Sequence, residues 1–130
     1  MNTIKLWTKF NGKPNSSIRN EGIRVTMGKR GEFYLNKAAW EALGEPEAVE
    51  LMFDLGRAVI GMQKVDPWVE DTFPVKAKNT SSGRIIRANP FVVHHQIKPP
   101  RTVIFNKAHM DEGVLSLPLQ AITAVSKGSR

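Results

Sequence analysis

Residues 25–44 read Val-Thr-Met-Gly-Lys-Arg-Gly-Glu-Phe-Tyr-Leu-Asn-Lys-Ala-Ala-Trp-Glu-Ala-Leu-Gly, and the order of residue types across them decides the fold. The β-branched and apolar residues of Ile23 to Met27 predict a strand. Gly28-Lys29-Arg30-Gly31 predicts a turn, and Phe33 to Leu35 a returning strand. Asn36 is a helix-capping residue type, and the alanines and Leu43 that follow favour a short helix over Lys37 to Leu43. Gly44 suits the left-handed position that ends such a helix. Beyond Glu45-Pro46, Val49 to Phe53 and Ala58 to Val65 predict a hairpin turning at Asp54 to Arg57. The order is ββαββ.

Working outward, residues 73–118 carry a second, divergent version of the same pattern. Phe73 to Lys78 predicts a strand, residues 79–83 a turn and Arg84 to Ala88 the return. Asn89 then caps a helix with Pro90 at its first position, and Pro99-Pro100 forbids its continuation. Arg101 to Asn106 and Gly113 to Leu117 form a last strand pair. Gly31, Asn36, Val49 and Gly56 align with Gly83, Asn89, Val103 and Gly113, at offsets that drift upward as small insertions would require. Upstream, Ile4 to Phe10 alternates apolar and polar residues as an additional strand, and Asn11 to Asn20 is turn-rich. The reading is therefore one mainly β domain with short helices over residues 1–120. Its repeats span 22–66 and 72–118, and 121–130 form a flexible tail.

The run Val25 to Gly31, with Leu35, Leu43-Gly44, Val49 and Asp54, resembles the AbrB and MraZ swapped-hairpin family. Asn36 to Asp54 is also similar to a group of small bacterial proteins. The family resemblance implies two interlocking ββαββ units that close a pseudo-dimeric barrel within one chain. A single unit has too few strands to enclose a core, whereas two exchange hairpins and bury both apolar faces. The resemblance also implies binding to double-stranded DNA in transcription regulation, with arginines beside the glycine turn and along the short helix. Gly83-Arg84-Ile85-Ile86 follows that pattern. The first repeat differs, with Gly31-Glu32 at the turn and Lys37 and Glu41 on the helix.

Charge supports a polyanionic partner. The 130 residues carry net charge +7. Residues 1–36 hold +5, 37–71 hold −5 and 72–130 hold +7. Lys29, Arg30, Lys76, Lys78, Arg84 and Arg87 are the candidate phosphate contacts. The rival reading takes these groups as a solvated face and the chain as a protein-interaction or homo-oligomeric assembly module. In that reading Trp7, flanked by Lys5 and Lys9, is the interface candidate. One contiguous basic patch favours nucleic acid, and dispersal favours the rival.

Several chemistries find no support. With no cysteines, disulfides, thiolate metal sites and cysteine nucleophiles are excluded, and a cytoplasmic location is expected. No apolar run approaches the ~20 residues that span a bilayer, and the start lacks a signal-peptide core. His94-His95 and His109 with Asp111 are the one candidate metal constellation, but adjacent side chains diverge in helix and strand alike. The carboxylate pairs Glu70-Asp71 and Asp111-Glu112 fall at turns. Gly56 to Gly61 lacks the Lys-Ser/Thr of a phosphate loop, and no nucleophile elbow occurs. No enzymatic activity, cofactor or metal is expected.

Overall fold

The structure, a computed structural model, describes residues 22–78 and 82–125. Strands β1 (Val25–Met27) and β2 (Glu32–Leu35) pair antiparallel, Met27 opposite Phe33 and Val25 opposite Leu35. Their turn closes through Gly31 N–H donating to the Gly28 carbonyl at 3.0 Å. Gly31 takes φ +87°, a left-handed conformation that glycine adopts at little cost. A Cβ on Gly31 would also lie 2.6 Å from the Val92 side chain, so the turn has room only for glycine.

Asn36 caps helix α1 (Lys37–Ala42), its side-chain oxygen accepting from Ala39 N–H at 3.0 Å. Gly44, at φ +94°, turns the chain out of the helix. The N–H of Glu45 returns to the Trp40 carbonyl and that of Gly44 to Glu41, the paired closure of a Schellman motif. Strands β3 (Ala48–Asp54) and β4 (Val59–Val65) then form the expected hairpin.

The stretch Phe73 to Lys78 is two short strands rather than one, β5 (Phe73–Pro74) and β6 (Lys76–Ala77). Between them Val75 N–H donates to the Glu47 carbonyl at 2.9 Å, and there the chain leaves one sheet for the other. Strand β7 (Arg84–Arg87) leads to helix α2 (Asn89–His94). The cap of α2 is Ala88, with no side-chain hydrogen bond. Asn89 instead donates its side-chain amide to the Arg30 carbonyl at 3.0 Å, tying the β1–β2 turn to the start of α2. The far ends of the two helices match: His95, Gln96 and Ile97 N–H donate to Phe91, Val93 and Val92. Leu43, Gly44 and Glu45 do the same to Ala39, Glu41 and Trp40.

Strands β8 (Val103–Phe105), β9 (His109–Asp111), β10 (Val114–Pro118) and β11 (Ile122–Ala124) complete the described chain. Among the described residues the strands form two antiparallel sheets. One has six strands in the order β11-β8-β1-β2-β7-β6, and the other five in the order β5-β3-β4-β10-β9.

Three further expectations are corrected. β8 pairs with β1 and β11, not with β10, whose partners are β4 and β9. Val103 therefore lies in a different sheet from Val49. Alternating apolar residues mark a strand but do not name its partner, which is why sequence paired them. Residues 122–124, assigned to the tail, form β11, with Ile122 opposite Phe105. Among the described residues the two sheets do not close into one barrel: β5 pairs only with β3 and β6 only with β7, each too short to bridge the sheets. The expected strand Ile4 to Phe10 lies outside the described residues.

The core fills the space between the sheets. The six-stranded sheet contributes Val25, Met27, Phe33, Leu35, Ile86, Val103 and Phe105, and the other Val49, Ile60, Met62, Leu115 and Leu117. Phe33 stacks on Phe105 with ring centroids 6.4 Å apart. Ala39 and Leu43 from α1, and Phe91 and Val92 from α2, join the same cluster.

Candidate nucleic-acid interface

Strand alternation gives the six-stranded sheet a second face, turned away from the core. Phe33 and Ile86 face each other inward, so Glu32, Tyr34, Ile85 and Arg87 fall on the other face, where Arg87 is exposed and Ile85 is buried. The register carries one outward row across the sheet, from Lys76 to Ile85, Tyr34, Thr26, Ile104 and Thr123. Lys78, two residues past Lys76, lies over the Tyr34 ring with its Nζ 5.4 Å from the centroid. Arg87 stands directly opposite Glu32, and Glu32 leads straight into the turn that exposes Lys29 and Arg30.

Five of the six basic candidates thus share one face and its adjoining turn. Among the described residues, no carboxylate forms an ion pair with Lys29, Arg30, Lys76 or Arg87. The α2 contacts of Gly31 and Asn89 fix where the turn carries its two cations.

Arg84 is placed otherwise. It pairs with Leu35 on the core side of β7, and its guanidinium lies 3.8 Å from the centroid of the Trp40 ring. Its Nη1 donates to the carbonyls of Ser82 at 2.8 Å and Gly83 at 3.1 Å. Trp40 in turn donates its indole N–H to the Pro46 carbonyl at 3.1 Å. Arg84 therefore ties the start of β7 to α1 rather than joining the outward cations.

Glu32 is the acidic group of this face. Its carboxylate folds over Gly28, where an added Cβ would collide with it, and its Oε1 is buried without a hydrogen-bond partner. The Tyr34 hydroxyl is pushed above its ordinary range, first by burial, then by the Glu32 charge, with Arg87 opposing. Tyr34 was overlooked in the sequence, although the inward assignment of Phe33 turns its neighbour outward.

The remaining candidates are separate from this face. Trp68 is 78% exposed in the loop after β4, and Trp7 lies outside the described residues. His95 packs against Phe53 and Phe91, with His94 edge-on to it at 4.7 Å. His109 approaches the Lys107 carbonyl through Nδ1 at 2.8 Å. Among the described residues no three His, Asp or Glu side chains converge as metal ligands would, and no helix is long and apolar enough to cross a membrane.

Comparison of the chain with protein-family models, curated proteins and solved structures found no match. The functional reading therefore rests on the residues themselves.

Proposed function

We propose that the chain binds double-stranded DNA through the outward face of its six-stranded sheet, as a regulator-like module without catalytic activity. The observation that carries this is the cross-strand register. It puts Lys76, Lys78 and Arg87 on one face and Lys29 and Arg30 at its end. Strands lie about 4.8 Å apart, so cations from β6 to the β1–β2 turn span roughly 10–15 Å. That matches the ~12 Å major-groove width between phosphate rows. Phosphate contacts give affinity and orientation rather than sequence choice.

The fold relationship implied by the AbrB and MraZ resemblance belongs to the same proposal. The two units are β1-β2-α1-β3-β4 and β6-β7-α2-β9-β10, related by an approximate two-fold axis. The strand orders β1-β2-β7-β6 and β3-β4-β10-β9 support it, as do the equivalent hydrogen bonds closing both helices. Strands β8 and β11 stand outside this symmetry.

Fluorescence anisotropy with a mixed-sequence duplex, titrated across salt concentrations, tests the proposal. Each phosphate contact adds about 0.9 to the log–log salt slope. Lys76→Ala and Arg87→Ala are expected to flatten the slope by about that amount each, equally on every sequence. A wild-type protein with no salt-sensitive duplex binding at low ionic strength overturns the reading.

A further inference from the structure

The outward face of the five-stranded sheet is opposite in character. Ile60 and Met62 point into the core, so Gly61 and the residues paired with it point away. There Met52, Val59, Gly61 and Val114 floor a depression of about 300 Å³, walled by the carboxylates of Asp54 and Asp111. Gly61 lets Met52 and Val114 close together over the strand: a Cβ there would come within 3.2 Å of Val114 and 3.3 Å of Met52. Glu50 extends the acidic rim, since Gln63 pairs with Glu50 on one side and with Val114, opposite Asp111, on the other. Arg57 is the cation at this rim, and Asp54 holds it at 2.8 Å. None of the floor residues is packed into the core cluster.

We infer that this face docks a second copy of the chain, receiving that copy's basic sheet face. The argument is charge complementarity together with shape. The two outward faces lie on opposite sides of one sandwich, one carrying Lys76, Lys78 and Arg87, the other Glu50 and Asp111 beside the Asp54–Arg57 pair. Lysine and arginine stems are apolar up to their charged heads, so an apolar floor with a carboxylate rim accommodates both parts. A donor face and an acceptor face on opposite sides make a heterologous contact, which propagates head to tail rather than closing as a dimer. The inference depends on the basic face but not on its binding DNA.

Sedimentation velocity of the full chain at about 50 mM and about 500 mM salt tests it, because screening shortens from roughly 14 Å to roughly 4 Å between them. The wild type is expected to sediment as larger, concentration-dependent species at low salt and as a monomer at high salt. Glu50→Lys/Asp111→Lys reverses one face and Lys76→Glu/Arg87→Glu the other, all at exposed positions. Each double variant alone is expected to remain monomeric, and an equimolar mixture to associate again, because each then meets a complementary face. A wild type that stays monomeric at low salt overturns the inference without recourse to any variant. So does association that survives Glu50→Lys/Asp111→Lys. A monomeric wild type that still binds duplex DNA removes the assembly and leaves the DNA reading standing. Association without DNA binding does the reverse.

Discussion

Arg84 and Arg87 sit three residues apart on one strand and do different work. An odd spacing sends them to opposite faces of the sheet. Arg87 emerges beside Glu32, whereas Arg84 is half-buried on Trp40. A cation held over an indole contributes roughly 0.5–2 kcal/mol, and the bonds to Ser82 and Gly83 add to it. Arg84→Ala is therefore expected to lower stability by about 1–2 kcal/mol in urea denaturation while leaving the salt slope of the proposed DNA binding unchanged. A flattened slope would return Arg84 to the phosphate contacts. His95 offers a test by pH. Its imidazole is held below the ordinary range, first by burial and then by the His94 charge. The unfolded chain, with a pKa near ~6.5, thus takes up this proton before the folded one does. Stability from this residue is full above that value and falls as the pH drops below it. The urea midpoint should decline between about pH 7.5 and 5.5, and less so in His95→Phe.

At the scale of elements, two glycines with similar backbones separate conformational strain from crowding. Gly31 and Gly113 have φ +87° and +83°. Around Gly113 nothing lies within 4 Å of an added Cβ, while at Gly31 the Val92 side chain and the Asn89 backbone do. Gly113→Ala should cost only the left-handed penalty of about 1–2 kcal/mol. Gly31→Ala should cost clearly more, since the turn must also shift off α2. Equal costs in paired urea titrations would mean that the turn is not held there. The same elements set how far sequence could be read. The run from Val25 to Gly44 was legible because every signal in it is local: a glycine turn, an asparagine cap, a C-terminal glycine. Asn89 offered the same cap signal, yet the Arg30 carbonyl claims its amide, a partner 59 residues away. The pairing of β8 and the crossing at Val75 are likewise long-range choices. Of the site, the cations were legible as residues. Their division between two faces needed the register of β7 against β2.

Across the whole molecule, the described halves are not separable bodies. β2 hydrogen-bonds to β7 in one sheet and β4 to β10 in the other, and β1–β8 and β3–β5 cross between the halves as well. The buried residues of both halves meet in a single cluster. An excised fragment of residues 22–66 would expose the edges of β1, β2, β3 and β4 that pair with the second half, and the core residues packed against it, and too few strands remain for it to fold alone. If the two units are equivalent, a second copy of the fragment can supply what was removed. Its β2 would take the place of β7, its β4 that of β10 and its α1 that of α2. The fragment is thus expected to be unstructured when dilute and to become a folded β-rich dimer as concentration rises. Circular dichroism followed over a dilution series, with sedimentation equilibrium on the same samples, measures both. Coupled folding and dimerisation makes the transition concentration-dependent, because only the dimer is stabilised by mass action. A fragment that folds as a monomer would show that each half holds a sufficient core. One that stays unstructured at every concentration would show that β8, which pairs with β1 in the intact chain, supplies what the two-fold relationship cannot.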